Sequence, residues 1–165
     1  MRLSIVISAG LVMFLGLNTP TPVMPQSPIQ VAQSSEITNS TLKQLRINRR
    51  LWRQQKISNY RYTLSNSCFC IPEARGPVVI EVRNGRTTSI TSVQTGQPVA
   101  NPEFFQQYNT VPKLFNLIRN TSSSGQSELA VEYNPKLGYP TQINIGNLAA
   151  DAGIFTTIEN LQKIR

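Results

Sequence analysis

The turn Asn84-Gly85 and the extended runs on either side of it constrain the fold of this chain more than any other feature. Residues 78–83 read Val-Val-Ile-Glu-Val-Arg, and a second extended run covers residues 86–93. Asn-Gly between two such runs is the preferred two-residue hairpin turn, because both positions tolerate positive φ. The sequence therefore predicts an antiparallel pair of strands here.

Further strands and two helices follow from the spacing of the apolar residues. In residues 59–67 the alternation places Tyr60, Tyr62 and Leu64 on the inner face of a strand. The remaining predicted strands are 128–133, 141–145 and, as the weakest of them, 154–159. The predicted helices are 41–57, capped by Ser40 or Thr41, and 110–120, capped by Thr110.

The order of these elements defines a fold class. Helix, three strands, helix and three strands predict an α+β domain over residues 41–165, in which two helices pack on one face of an antiparallel sheet of about six strands. Asn134, Pro135 and Gly138 predict the turn between the fourth and fifth strands, where glycine is free to adopt positive φ.

Positive charge is concentrated in the first half of this domain. Residues 43–86 carry ten basic and two acidic groups, which equals the formal net charge of +8 of the whole chain. On a helical projection of 41–57, the basic residues fall within one arc of roughly 140°. They are Lys43, Arg46, Arg49, Arg50, Arg53 and Lys56. Leu45, Ile47, Leu51 and Trp52 fall on the other side, and we expect Trp52 to anchor the helix to the sheet.

Two interpretations of this basic face are open. The basic side chains either solvate the outer face of the helix or dock an anionic partner of the cell envelope, namely an acidic protein, an anionic lipid or a polysaccharide. Their mutual repulsion, without acidic partners at i+4, favours docking. We expect no nucleic-acid partner, since neither a pair of RNA-binding aromatic residues nor a glycine-rich phosphate loop accompanies the basic residues.

Cys68 and Cys70 are the only cysteines. An extended strand would hold their Cα atoms ~6.6 Å apart, so a disulfide requires a local kink. An intrachain disulfide, buried structural thiols, a redox or soft-metal site and an intermolecular bond all remain open. The following loop contains Glu73 and Arg75, which we expect to form a salt bridge.

The first residues predict export. Arg2 precedes about fifteen apolar or small residues without a charge, as in a secretory signal peptide. We assign residues 1–32 to a signal peptide that is cleaved after Ala32, and residues 33–40 to a flexible leader. The alternative is an uncleaved N-terminal membrane anchor. Either interpretation predicts an extracytoplasmic domain, periplasmic or secreted.

Catalytic chemistry finds little support in the sequence. The chain contains no histidine, which excludes Ser-His-Asp and Cys-His catalysis and imidazole-dependent zinc sites. The carboxylates show no motif spacing, and Glu128 and Glu132 are expected on an open sheet face. We expect the tyrosines to pack in the core with satisfied hydroxyl groups. The sequence therefore predicts no enzyme activity and no cofactor.

Several short motifs resemble a bacterial family catalogued as a domain of unknown function, number 6174. They are Trp52, Tyr60-Arg61-Tyr62-Thr63, Ser67-Cys68-Phe69-Cys70, Gly76-Pro77-Val78, Asn84-Gly85 and the segment 133–141, Tyr-Asn-Pro-Lys-Leu-Gly-Tyr-Pro-Thr. The resemblance covers about residues 45–160 and implies an exported or lipid-anchored protein with no established activity or cofactor. Gly146 stands where the family usually has Asp, and Asp151 precedes Ala152-Gly153 rather than further acids, so we assign no cation site.

Two functions of different classes follow. We favour an exported, non-catalytic binding module that docks through the sheet or the basic helix. The alternative is a thiol redox or soft-metal-handling protein that uses Cys68 and Cys70. The oligomeric state and the identity of the partner are left open.

Overall fold

The computed structural model describes residues 28–125, 127–147 and 152–165. Within these residues, two α-helices and six strands form the order α-β-β-β-α-β-β-β, which confirms the predicted α+β class. The elements are α1 Pro28–Gln54, β1 Tyr60–Cys68, β2 Val78–Arg83, β3 Arg86–Ser92, α2 Val111–Ser124, β4 Glu128–Tyr133, β5 Pro140–Asn147 and β6 Ala152–Lys163.

All six strands belong to one antiparallel sheet with the order β3-β2-β1-β6-β5-β4. The hairpin β2–β3 turns at Asn84 and Gly85, both at positive φ, as predicted. The last strand, β6, is twelve residues long and pairs with β1 on one side and β5 on the other. The strand predicted as the weakest therefore lies at the centre of the sheet and joins its two halves.

The hydrophobic core lies on one face of the sheet, beneath both helices. Tyr60, Tyr62 and Leu64 alternate into it, as predicted. From α2, Leu114, Phe115 and Ile118 supply the opposing apolar layer. Neighbouring strands add further buried side chains, which are Val78, Ile80, Val82, Ile90, Ile143 and Ile158.

The helix α1 is longer at its N-terminus than predicted. It begins at Pro28 rather than at residue 41, so residues 33–40, which we predicted as a flexible leader, are helical. Proline suits the first turn of a helix, and no further Pro or Gly interrupts the chain before Gln54. The predicted signal peptide falls on residues 1–27, outside the described part, and on the first turns of α1, so its cleavage after Ala32 stays a prediction. Across the described residues, no helix is long and apolar enough to span a membrane.

The C-terminal end of α1 also differs from the prediction. The helix ends at Gln54 rather than at residue 57, and Lys56 adopts a positive φ of 50° in the turn that follows. A left-handed residue cannot continue a right-handed helix, so Lys56 lies beyond the helix and not on its face.

Trp52 anchors α1 to the sheet, as predicted. Only 5% of this residue is exposed, and its ring meets those of Tyr60 and Tyr139 edge-on, with centroid distances of 5.4 and 6.2 Å. The prediction that Ile47 shares this buried side is wrong, because Ile47 is exposed. Two residues along a helix rotate by about 200°, which carries Ile47 away from the buried Leu45.

Candidate functional site

The exposed face of α1 carries a row of cations. Lys43, Arg46, Arg50 and Arg53 are exposed, and Arg49 is half-buried at the edge of the same face. We call these five residues the cation row. They extend along about 15 Å of the helix axis at ~1.5 Å per residue.

No member of the cation row forms an ion pair with an acidic side chain in residues 39–125, 127–147 or 152–165. An ion pair of 2.8 Å joins Arg83 to Glu81 on a different part of the surface. Arg46, Arg49, Arg50, Arg53 and Gln54 line a shallow surface hollow of about 650 Å³. The described lining residues all belong to one face of α1. Such a face concentrates positive potential and attracts anions.

The two cysteines lie where β1 ends. Cys68 is its last residue, and the sulfur atoms of Cys68 and Cys70 lie 1.99 Å apart as a disulfide. Their Cα atoms are 5.2 Å apart, closer than an extended strand allows, so the chain makes the kink that the sequence argument required. A bonded sulfur is not the thiolate that a soft metal or an exchange reaction needs, and a redox or metal role stays a prediction.

The loop after the cysteines is fastened to the end of the strand. The Arg75 guanidinium donates two hydrogen bonds, of 2.7 and 3.0 Å, to the carbonyl oxygen of Cys70. The Asn66 side-chain amide donates a hydrogen bond to the Ala74 carbonyl oxygen, and the Asn66 backbone N–H donates one to the Arg75 carbonyl oxygen. The predicted salt bridge between Glu73 and Arg75 is not formed, because the guanidinium binds the backbone instead.

Large apolar side chains are exposed at the same end of the sheet. Phe69, between the two cysteines, is 95% exposed, and Ile71 is 53% exposed. Ile154 pairs with Cys68 across β1 and β6, and Val93 follows the end of β3, whose Ser92 pairs with Val78. We call Phe69, Ile71, Val93 and Ile154 the apolar end. They are four of the five large hydrophobic residues exposed in residues 39–125, 127–147 and 152–165; the fifth is Ile47.

We did not predict this exposed apolar surface from the sequence, although the sequence contains one signal for it. Alternation from Tyr60 places Cys68 and Cys70 on the inner side and therefore turns Phe69 outward. Strand pairing alone brings Val93 and Ile154 to the same end of the sheet, with Ile154 opposite Cys68 on the inner side, and neither position had a local signal.

The tyrosines belong to the core rather than to a pocket. The Tyr60 hydroxyl oxygen accepts a 3.0 Å hydrogen bond from the Val111 N–H, and the Tyr62 hydroxyl donates to the Tyr108 carbonyl. Burial raises the pKa of Tyr60 to about 12, although the bond from Val111 opposes the shift, and burial also raises the pKa of Tyr62 well above its ordinary value. Tyr133 departs from the prediction, because its buried hydroxyl has no partner among the described residues.

Acidic groups are dispersed rather than assembled. Glu128 and Glu132 are exposed on β4, as expected for an outer face. In the described ranges, no three His, Cys, Asp or Glu side chains stand close enough to hold a metal ion.

The protein is a small α+β domain with one antiparallel sheet. Its surface carries a cationic helix face and an apolar sheet end. Residues 44–163 match the sequence profile of DUF6174, a family of unknown function, and the chain belongs to this family. The match confirms the resemblance that the Cys-Phe-Cys segment indicated. No curated protein and no solved structure shows a significant match to the chain.

Proposed function

We propose that the protein is an exported, non-catalytic binding module whose cation row docks an anionic polymer of the cell envelope. The observation that carries this proposal is the row itself: four exposed cations and one half-buried arginine on a single helix face, none paired with an acidic side chain in residues 39–125, 127–147 or 152–165. The like charges of the row repel one another, and a bound anion relieves this repulsion.

The anchoring of α1 supports a docking role. Trp52 holds the helix on the sheet through edge-to-face contacts with Tyr60 and Tyr139. Leu45 is buried on the same side, so the opposite face is held toward solvent. A fixed row of charges loses less conformational freedom on binding than a mobile basic tail does.

The shape of the row favours an elongated partner. The cations follow one another along the helix axis rather than converging on a point, and this arrangement suits the regularly spaced carboxylates of an acidic polysaccharide. An acidic protein or an anionic bilayer presents the same charge in other geometries, and anionic vesicles represent the bilayer in the test.

The test compares binding of the protein to polygalacturonate, to anionic vesicles and to neutral dextran. We expect polygalacturonate to bind and dextran not to. Replacing Arg46, Arg49, Arg50 and Arg53 with Gln should weaken polygalacturonate binding by about 100-fold or more, since each cation near an anionic surface contributes about 1 kcal/mol. Raising the salt concentration should weaken the wild-type complex in the same way.

The matched control removes the same charge elsewhere. Arg86, Arg119, Lys136 and Lys163 are exposed outside the cation row, and their replacement with Gln should leave most of the binding intact. Both variants should melt near the wild-type temperature, because exposed substitutions change stability by about 0.5 kcal/mol or less. Equal loss of binding in the two variants, or no salt-dependent binding to polygalacturonate, contradicts the proposal; a preference for anionic vesicles makes a lipid surface the partner instead.

A further inference from the structure

The apolar end is remote from the cation row. The row lies on α1, whose Trp52 packs on Tyr60 at the start of β1, whereas Phe69 follows the last residue of β1. The helices cover the inner face of the sheet, to which Tyr62 and Leu64 point, whereas alternation turns Phe69 to the other side, so the two surfaces face different parts of the surroundings. Binding at the cation row therefore does not account for the exposure of the apolar end.

The exposure of Phe69 is built into the covalent structure. The disulfide closes the chain on both sides of this residue, and the two hydrogen bonds from Arg75 hold the Cys70 carbonyl. Alternation along β1 points the side chains of Tyr62 and Leu64 into the core, and Phe69 projects away from the core. The disulfide and the hydrogen bonds from Arg75 therefore hold the Phe69 ring outside the core.

The surroundings of Phe69 are apolar and nearly neutral. Residues 69–77 and 93–101, the connections that contain Phe69 and Val93, hold one acid and one base, Glu73 and Arg75. The exposed Glu128 begins β4 at the same end, three strands away from β1. The positive charge that would draw an anionic partner is carried elsewhere, by the cation row. The chemistry of the apolar end therefore fits an uncharged, apolar partner.

The size and shape of the surface decide between a protein and a lipid. A stable protein interface buries about 800 Å² on each side. A fully buried aromatic side chain supplies about 150–250 Å², and the other three residues of the apolar end are aliphatic and only partly exposed. A protruding ring flanked by separate aliphatic side chains needs no matching pocket if it enters a bilayer, because lipid adapts to its shape.

We propose that the apolar end is a membrane-docking tip, in which Phe69 enters the interfacial region of a bilayer with neutral headgroups and the exposed Ile71, two residues along the chain, lies against the bilayer surface. In this orientation the cation row stays available to its anionic partner. A module with two such surfaces holds an anionic polymer near a membrane.

Insertion is measured with the full chain and phosphatidylcholine vesicles in about 0.5 M NaCl, where surface charges are screened beyond a few ångströms. In the variant Phe69→Trp, the emission of the new indole should shift to shorter wavelength on addition of vesicles, and brominated acyl chains should quench it. The buried Trp52 of the wild-type protein should give neither response.

Partitioning onto the same vesicles is measured by sedimentation. Phe69→Ser should lower the partition coefficient about tenfold or more, since burial of one large apolar side chain is lost. Ile47→Ser is the matched control, because Ile47 is as exposed as Ile71 but lies on α1. The control should partition like the wild type, and circular dichroism should show that both variants are folded.

The two proposals fail separately. The variant without Arg46, Arg49, Arg50 and Arg53 should still bind neutral vesicles, and Phe69→Ser should still bind polygalacturonate. An indole at position 69 whose emission ignores vesicles, or equal partitioning of Phe69→Ser and wild type, overturns the membrane-docking tip. A dimer in sedimentation equilibrium that Phe69→Ser dissociates also overturns it, because the tip then contacts a second copy of the chain.

Discussion

Individual side chains show how strongly burial governs this molecule. Tyr60 and Tyr62 each place a hydroxyl group where a backbone group of another segment needs a partner, and so connect β1 to the residues around the start of α2. Trp52, in contrast, contributes ring contacts and apolar area. The aromatic residues therefore hold both helices on one face of the sheet, by polar and by apolar contacts.

The tyrosines should make stability sensitive to alkaline pH. Burial raises the pKa of Tyr60 and of Tyr133 to about 12, above an ordinary value of 10, and raises that of Tyr62 well above it. The unfolded chain then loses protons at lower pH than the folded chain does. Stability should be fully present below pH ~10 and fall as the pH rises from about 10 to 12.

Ionisation and unfolding are followed in one titration, by near-ultraviolet absorbance and circular dichroism. The phenols should ionise at higher pH in the native protein than in denaturant. Normal tyrosine titration in the native protein, with the fold retained, would mean that the hydroxyl groups are accessible to water.

The cysteine pair gives a second prediction at this scale. Alkylation of the native protein should label neither cysteine, and alkylation after reduction should label both, because Cys68 and Cys70 form a disulfide. Closing so short a loop stabilises by only about 1–2 kcal/mol, so the double variant Cys68→Ser/Cys70→Ser should fold and melt a few degrees lower.

Mass spectrometry of the alkylated protein separates the alternatives. Two labels without reduction would mean free thiols, and a reducible dimer would mean an intermolecular bond. Rapid, reversible reduction of the bridge in the folded protein by a low concentration of dithiol would favour the thiol-redox alternative over a structural staple.

At the scale of elements, the turn between β4 and β5 limits how closely α1 packs. Gly138 has a φ of 78°, and a Cβ atom there would lie 2.5 Å from the Asn48 carbonyl oxygen of α1. The turn therefore needs glycine for two reasons, its left-handed backbone and the approach of the helix. The predicted turn at 134–138 is confirmed, but only the structure shows that α1 lies against it.

Gly138→Ala should destabilise the protein more than Gly85→Ala does. Gly85 also has positive φ, at 74°, but a Cβ atom would meet nothing within 4 Å. The left-handed backbone alone costs roughly 1–2 kcal/mol, and the clash at Gly138 adds about 1–3 kcal/mol. Urea unfolding of both variants tests the difference, and equal midpoints would mean that α1 does not press on the turn.

At the scale of the whole molecule, β6 decides the architecture. Local pattern identifies two strand-rich halves, but the pairing of β6 with both β1 and β5 merges them into one sheet. The same pairing places Ile154 beside Cys68 and so completes the apolar end. A strand buried in the middle of a sheet owes its stability to partners distant in sequence, which explains why its local signal was weak.

The sequence by itself determined the fold class, the hairpin at Asn84-Gly85, the inward row from Tyr60 to Leu64, the anchoring of Trp52 and the charge on one helix, because each follows from periodicity or turn chemistry within a short segment. Only the tertiary structure decided that β6 is central, that Ile47 faces solvent, that Arg75 binds a backbone carbonyl instead of Glu73, and that four exposed apolar residues lie at the same end of the sheet. These features arise from contacts between residues far apart in the chain, and no local pattern encodes which distant partner a residue will find.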